Sequence, residues 1–295
     1  MGSGSNRNRR EILKTGALAG AGVMTYVAMG CKEDEPAPTP CDEIPTTYPE
    51  LDSSEVRWGF LIDLSRCKGC KACSVSCKTE FSVPLGVFRG SVIIGEKGEY
   101  PTVQRLNLPW RCNHCSEPVC LERCPTTPVM ASLEFPNGDK KEFWARATYQ
   151  RPDGLIHVDK ERCVGCGRCV ADCPYDARFL NKSETAGGNP ADYDLSVDNP
   201  APADKCSFCI HRMVEGVVPA CVNACPADAR LAGNLNDPNS EISQAIADAG
   251  DRVSVLLGSS GTEPALYYID LDSDVYDTGY DIRDDAGQQL DIPNV

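Results

Sequence analysis

Cysteine dominates the chemistry that this chain can perform. Sixteen of the 18 cysteines in its 295 residues fall into four sets of four. The sets are Cys67-x2-Cys70-x2-Cys73-x3-Cys77, Cys112-x2-Cys115-x4-Cys120-x3-Cys124, Cys163-x2-Cys166-x2-Cys169-x3-Cys173 and Cys206-x2-Cys209-x11-Cys221-x3-Cys225. Three sets end in Cys-Pro, and the first and third share one spacing. This spacing predicts cubane iron–sulfur clusters and therefore the transfer of electrons.

Zinc and disulfide bonds are the alternative uses of so many cysteines. A thiolate is a soft ligand that suits zinc as well as iron–sulfur clusters. Zinc sites are usually built from two separated Cys-x2-Cys pairs, whereas here three closely spaced cysteines recur with a fourth one turn later. A disulfide framework gives no reason for the repeated triple spacing. We expect clusters; the zinc alternative is a structural or scaffold protein, which would be colourless.

The loops between the cysteines also fit clusters. Three closely spaced thiolates can bind three corners of one cube, and the fourth cysteine of such a run binds the neighbouring cube. Gly69, Gly165 and Gly167 would let the backbone turn closely around the sulfur atoms. Pro118 and Pro219 stand shortly before the third cysteine of the two stretched sets, where they stiffen the returning loop.

The predicted fold class is α+β, with tandem bacterial ferredoxin-like units that form two 2[4Fe–4S] modules. Apolar, β-rich runs at residues 56–64, 155–158 and 229–232 predict strands, and short helices are expected to follow the fourth cysteines. The four-cluster domain is expected to span residues 56–270.

The sequence also predicts loop insertions and a C-terminal extension. Residues 126–152 and 181–202 are polar interruptions that predict surface insertions. Residues 253–257 and 266–269 predict a terminal hairpin. Residues 271–295 form an acidic tail, whose aspartates favour a solvated surface over a specific docking surface.

The first thirty residues predict a twin-arginine signal peptide around Arg9 and Arg10. The apolar stretch at 15–29 is shorter than the ~20 residues that a membrane-spanning helix needs. This export route carries folded cargo, which suits clusters assembled in the cytoplasm. We therefore expect a protein in the periplasm or on the outer face of the cytoplasmic membrane; a chance Arg-Arg pair is the alternative.

Residues 31–55 form an acidic, proline-rich linker that cannot pack a core. Cys31 is a candidate for lipidation because it follows the apolar segment, although Ala28 and Met29 depart from the usual lipobox. Cys31 and Cys41 are the two cysteines outside the sets, and no pattern supports a disulfide between them. The net charge of −14 argues against nucleic acid as a partner.

Specific motifs surround the cysteines. They are Ile62-Asp63-Leu64-Ser65-Arg66-Cys67-Lys68-Gly69-Cys70, Arg111-Cys112-Asn113-His114-Cys115, Cys173-Pro174-Tyr175-Asp176-Ala177-Arg178 and Lys205-Cys206-Ser207-Phe208-Cys209. With them the chain resembles the four-cluster ferredoxin subunits of dimethyl sulfoxide reductase-type molybdopterin oxidoreductases, over about residues 56–269. It is most similar to the tetrathionate, polysulfide and thiosulfate reductase beta subunits. It departs from the pattern at Lys78, which replaces a proline, and in the long insertion at 126–152.

The resemblance implies how the sets share four [4Fe–4S] clusters. The first set would share with the fourth, and the second with the third, so that residues 56–105 and 204–250 would form one unit and residues 106–180 the other. The implied ligand groups are Cys67, Cys70, Cys73 with Cys225; Cys206, Cys209, Cys221 with Cys77; Cys112, Cys115, Cys120 with Cys173; and Cys163, Cys166, Cys169 with Cys124.

The resemblance also implies an electron-transfer subunit that is not itself a catalyst, and no nucleophile–base constellation or dinucleotide fingerprint argues otherwise. Electrons would pass between a membrane quinol/quinone subunit and a large molybdopterin (Mo/W) catalytic subunit, in anaerobic respiration of a sulfur-type or similar acceptor. We expect no C-terminal spanning helix, so membrane contact would come through a partner or a lipid on Cys31. The alternative is an electron-transfer subunit of a periplasmic hydrogenase or cytochrome nitrite reductase system.

Polar residues beside the cysteines carry weaker expectations. His114 is expected to pack against its loop, with a hydrogen bond to sulfur as the alternative. Basic residues next to the ligands could offset cluster charge, although for most of them a solvated position is expected; they are Arg66, Lys68, Lys71, Arg168 and Lys205.

Overall fold

The structure is a computed structural model that describes residues 56–135, 138–181, 201–213 and 215–272. The predicted signal peptide with Arg9 and Arg10, the linker with Cys31 and Cys41, and nearly all of the acidic tail lie outside these residues. Most of the predicted insertion at 181–202 lies outside them as well. Among the described residues, no helix has the length and apolar character needed to cross a membrane.

Strand β1 (Trp58–Asp63) is central to the largest sheet. It pairs antiparallel with β10 (Arg230–Asn234) and parallel with β12 (Leu266–Ile269). Alternation along β1 sends Phe60 and Ile62 into the core beside the cysteines, while Leu61 packs on the opposite face. Both faces of the strand are therefore buried, which explains its continuous apolar sequence.

The predicted strands at 56–64, 155–158 and 229–232 are confirmed as β1, β7 and β10. The predicted terminal hairpin is confirmed by β11 (Val253–Ser254), which pairs antiparallel with β12. The predicted insertion at 126–152 contains a hairpin of β4 (Val129–Glu134) and β5 (Lys140–Ala145). The structure is therefore a mixed α/β fold with small sheets.

The described residues also form further two-stranded sheets and six α-helices. The other paired strands are β2 (Gly90–Lys97) with β3 (Gln104–Arg111), β6 (Thr148–Gln150) with β7 (Ile156–Val158), and β8 (Phe179–Leu180) with β9 (Ala203–Asp204). The helices are α1 (Ala72–Glu80), α2 (Val119–Glu122), α3 (Arg168–Ala171), α4 (Ile210–Met213), α5 (Ala220–Asn223) and α6 (Glu241–Ala249).

The expectation that short helices follow the fourth cysteines is wrong. Helices α1, α2, α3 and α5 instead each contain the third cysteine of a set, and the last three end before the fourth. The physical reason is the proline after the fourth cysteine, because a proline disfavours helical backbone in the residue before it. In the first set Lys78 takes this place, and α1 continues through Cys77 to Glu80.

Lys78 also closes the loop that follows α1. Its Nζ donates hydrogen bonds of 2.7 Å to the carbonyl oxygens of Pro84 and Val87. The longer helix brings the Glu80 carboxylate to the residues of α4, where it accepts from His211 Nε2 at 2.7 Å and from Arg212 Nη1 at 3.0 Å. The departure at Lys78 therefore changes the local structure and removes no cysteine.

We predict that Ile62→Ala lowers the free energy of unfolding by ~2–5 kcal/mol, because the Ile62 side chain is completely buried in β1. Leu85→Ala is the matched control: Leu85 is 70% exposed, so its loss should change stability by less than ~0.5 kcal/mol. Denaturant titration followed by the visible absorbance checks both variants. Equal stabilities of the two variants would contradict the central position of β1.

Candidate metal centres

Each cysteine set has the same local structure: a strand, a loop with the first two cysteines, and a helix with the third. The loops follow β1, β3, β7 and β9. Helix α1 contacts α5, and α2 contacts α3. The third cysteines of the first and fourth sets therefore lie on one pair of helices, and those of the second and third sets on another.

The residue before the second cysteine has a left-handed backbone in every set. Its φ is +65° at Gly69, +46° at His114, +64° at Gly165 and +63° at Phe208. Glycine adopts this conformation without steric cost, whereas His and Phe do not. The same turn thus forms in all four sets, but only the first and third carry glycine at this position.

His114 and Phe208 are both buried, and their rings meet edge to face with centroids 5.6 Å apart. The His114 Nδ1 atom accepts a hydrogen bond of 3.1 Å from the Ile156 amide. Burial lowers the pKa of His114 well below its usual value, so the ring is neutral. His114 was expected to pack against its own loop; its ring packs against Phe208, which comes from the fourth set, and this packing offsets the backbone strain of its turn.

Three cavities are each lined by the first three cysteines of one set and the fourth cysteine of another. These cysteines are Cys206, Cys209 and Cys221 with Cys77; Cys112, Cys115 and Cys120 with Cys173; and Cys163, Cys166 and Cys169 with Cys124. Cys73 also lines the first of these cavities. The remaining four cysteines also lie together, because the thiol of Cys67 interacts electrostatically with those of Cys70, Cys73 and Cys225.

Sulfur atoms in these sites accept hydrogen bonds from the backbone. The amides of Ala203, Phe208 and Ala229 donate to Cys163, Cys206 and Cys225 at 3.3, 3.4 and 3.4 Å. Such donors favour a sulfur atom that carries negative charge. They are the donors expected around thiolates that bind a metal cluster.

Burial opposes the thiolate form in the innermost positions. It raises the pKa of Cys115 and Cys209 to about 12 and that of Cys173 to about 11. For Cys124 burial acts in the same direction, but hydrogen bonds from Thr126 and nearby amides outweigh it and lower the pKa. Most of these thiols would keep their protons at neutral pH, so binding of a cluster must displace them.

Several cations are buried among the cysteines, and three of them are Arg111, Arg178 and Lys205. Arg111 Nη1 donates to Cys221 Sγ at 2.9 Å, and Arg178 Nη2 donates to Cys120 Sγ at 3.0 Å. Lys205 Nζ donates to the carbonyl oxygen of Cys206 at 2.7 Å and to that of Ile156. These side chains are at most 4% exposed, so their charges act in a medium that screens weakly.

Sequence reasoning named Lys205 but assigned no role to Arg111 or Arg178. A signal was present, because Cys-Pro-x-Asp-Ala-Arg occurs twice and ends at Arg178 and Arg230. Both arginines are buried. The four other basic residues named beside the cysteines are exposed, as expected for most of them; they are Arg66, Lys68, Lys71 and Arg168.

The cavity lined by Cys77 and the fourth set tests whether an iron–sulfur cluster fits these residues. Arg111 Nε and Arg230 Nη1 are buried there without a hydrogen-bond partner. A buried guanidinium N–H group without an acceptor is costly, and a thiolate-bound cluster supplies negative charge and sulfur acceptors. The donor set and the charge therefore fit this cofactor. Among the described residues, no His, Cys, Asp and Glu side chains are grouped to hold a single metal ion.

Comparisons with known proteins agree with this chemistry. The model of a 4Fe-4S dicluster domain matches residues 103–235, which include the last three cysteine sets. A tetrathionate reductase subunit of Salmonella typhimurium is 38% identical over 219 residues, which cover 73% of each chain. The iron–sulfur subunit of the arsenate respiratory reductase of Shewanella sp. is 32% identical over 72% of this chain and 96% of its own length.

Protein NrfC of Escherichia coli is 35% identical over 222 residues, covering 74% of this chain and 83% of its own. The chain belongs to the family of iron–sulfur subunits of dimethyl sulfoxide reductase-type oxidoreductases. The resemblance inferred from the cysteine motifs is thus confirmed. As a member of this family, the chain is an iron–sulfur electron-transfer protein that contains a ferredoxin-like 4Fe–4S domain.

We predict that Gly165→Ala lowers the iron content by about four atoms per chain, one cluster. A Cβ at Gly165 would lie 2.9 Å from the Ala201 carbonyl oxygen, and its φ of +64° is unfavourable for alanine. Gly86→Ala is the matched control, because its φ is +85° but a Cβ there meets nothing within 4 Å. Iron and sulfide analysis checks both variants, and full iron in Gly165→Ala would contradict the need for close approach.

Proposed function

We propose that the chain binds four [4Fe–4S] clusters and relays electrons along them. The observation that carries this proposal is the grouping of thiols from two sets around each cavity. The proposed ligand groups are those implied by the family resemblance, and the grouping of the thiols supports each of them. When bound, each cluster supplies a site that accepts and returns one electron.

The proposed fold has two modules, which the same grouping supports. Residues 56–105 with 204–250 would form one 2[4Fe–4S] unit, and residues 106–180 the other. The contact of α1 with α5 supports the first unit, and the contact of α2 with α3 supports the second. In this arrangement β1 and β10 hold the ends of the first unit together, so that the second unit is inserted within it.

The proposed partners are a large molybdopterin (Mo/W) catalytic subunit and a membrane subunit that oxidises or reduces quinol. Relatives that bear the names of tetrathionate and arsenate reductase subunits support the first partner. The proposed role is anaerobic respiration of a sulfur-type or similar acceptor. The chain's residues contribute by holding the cofactors in protein, by excluding water from the buried thiols, and by supplying cations near sulfur.

A second candidate is an electron-transfer subunit of a periplasmic hydrogenase or cytochrome nitrite reductase system. The name of Protein NrfC does not mention a reductase. Protein NrfC is similar to almost the same share of this chain as the tetrathionate and arsenate reductase subunits are. The same cysteine sites would serve in either assembly. The catalytic metal of the partner distinguishes the two candidates.

The native complex, isolated anaerobically, tests the assignment by its metal content. We expect about sixteen iron and sixteen sulfide per chain, together with molybdenum or tungsten in a co-purified subunit. Nickel or haem in place of molybdenum would support the second candidate. Zinc in place of iron would contradict every cluster assignment.

The variant Cys67→Ser extends this test within the complex. It should lose or convert one cluster and abolish quinol-linked turnover, because one ligand of the first group is gone. Cys41→Ser is the control, since Cys41 is outside the four sets. Unchanged turnover in Cys67→Ser would contradict the relay.

We propose export by the twin-arginine route, to the periplasm or the outer face of the cytoplasmic membrane, with a lipid on Cys31 as an additional anchor. The variant Arg9→Lys with Arg10→Lys should leave the protein in the cytoplasm with its iron intact. Cell fractionation followed by immunodetection measures this. Export of the double variant at the normal level would refute the route, and Lys14→Arg serves as a control that keeps the pair.

A further inference from the structure

Arg111 and Arg178 occupy corresponding places in the two pairs of cysteine helices. Arg178 donates to Cys120 on α2 at 3.0 Å and forms a second hydrogen bond with the thiol of Cys169 on α3. Arg111 donates to Cys221 on α5 at 2.9 Å and interacts electrostatically with Cys73 on α1. Each guanidinium thus acts on the third cysteine of both sets in its helix pair.

The two arginines reach these places from different parts of the chain. Arg178 ends one copy of Cys-Pro-x-Asp-Ala-Arg, whereas Arg111 is the last residue of β3. Arg230, at the end of the second copy, lines the cavity of Cys77 and the fourth set. Each pair of cysteine helices therefore has a guanidinium, although the two arginines come from different parts of the chain. This recurrence indicates that the positive charge itself is required between the helices.

Buried Arg89 and partly buried Arg151 have carboxylate partners, whereas Lys205 donates to carbonyl oxygens. Arg89 pairs with Asp204 at 2.8 Å, and Arg151 pairs with Asp153 at 2.8 Å. Within the described residues, Arg111 and Arg178 form no ion pair with a carboxylate. Arg111 lies 4.1 Å from the centre of the Phe60 ring, and Arg178 Nη1 donates to Thr148 at 3.2 Å. These charges therefore face sulfur atoms, which become anionic when they bind a cluster.

Charge then affects the two redox states of a cluster differently. Electron transfer between neighbouring clusters adds one electron to one and removes one from the other, and no bond forms or breaks. A fixed positive charge attracts the more negative, reduced state more strongly. Because the charge is buried, this difference is only weakly screened and raises the reduction potential.

We propose that Arg111 and Arg178 set reduction potentials, each for the two cluster sites of its own helix pair. This inference rests on the proposed four-cluster function and adds to it named residues that control the relay. Arg178 would act on the sites that contain Cys120 and Cys169, and Arg111 on those that contain Cys221 and Cys73. The potentials should consequently respond in pairs, and the pair should depend on which arginine is changed.

Redox titration monitored by electron paramagnetic resonance, on the full chain loaded with iron, tests this inference. Arg178→Gln should lower two of the four potentials, and Arg111→Gln should lower the other two. Arg178→Lys should lower the same two as Arg178→Gln by a smaller amount, because a single ammonium cannot reach both sulfur atoms as the planar fork does. Arg168→Gln is the control. Arg168 is an exposed arginine in α3 next to Cys169, so the reduction potentials of all the clusters in this variant should stay unchanged.

Full iron with wild-type potentials in the Arg178→Gln or Arg178→Lys variants would overturn the inference. If Arg178→Gln does not retain its clusters, Arg178→Lys decides, since it keeps a cation but withdraws it from sulfur. A shift in Arg168→Gln equal to that in Arg178→Gln would also overturn it, because surface charge would then suffice. Fewer than four clusters in the wild-type chain would instead contradict the proposed function, whatever the variants show.

Discussion

Cysteines that are distant in sequence must reach the same place in this fold, and every other element follows from that constraint. Cys67 lies with Cys225, and Cys77 lines a cavity with the fourth set. The antiparallel pairing of β1 with β10 makes this approach possible, because the two strands stand immediately before the first set and after the fourth. The sheet is small, so much of the core that surrounds it consists of cysteine and the aromatic residues that cover it. Bound clusters would add four-way links to this core, and loop closure over so long a segment makes such links strongly stabilising.

Much of the architecture could be predicted from spacing and hydrophobicity. The run at residues 56–64 is apolar on both faces because β1 is covered on both, and the hairpin at the C-terminal end formed where its apolar segments indicated. The predicted positions of the short helices were wrong because the helices end before the proline that follows the fourth cysteine. This proline acts only on the residue before it, and the cysteine spacing does not reveal that effect. The presence of glycine could not predict the left-handed turns of the second and fourth sets, because neither set has a glycine before its second cysteine. Their strained residues, His114 and Phe208, are stabilised by contact with each other across almost a hundred residues of chain, which only the folded structure brings about.

The charges of the molecule are divided between surface and interior. The chain as a whole is acidic, with a net charge of −14, yet guanidinium and ammonium groups are buried beside the sulfur atoms. Sequence reasoning looked for cations next to the cysteines in the chain, and most of those proved to be exposed. The cations that touch sulfur, Arg111 and Arg178, come from a strand end and from a repeated motif. Distance in space and burial, which sequence adjacency does not report, decide which charge matters at a metal centre.

The helix that runs on past Cys77 connects two regions of the chain on the outside of the molecule. Since no proline stops it, α1 carries Glu80 to the side of α4, where His211 and Arg212 share the carboxylate. The first and fourth sets are thus joined twice, by their thiols in the interior and by this ion pair at the surface. The outer link needs no iron, so it would already hold the two segments in register while the thiols await their metal. The lysine that replaces the proline thus lengthens the helix and adds a contact between the first and fourth sets that involves no cysteine.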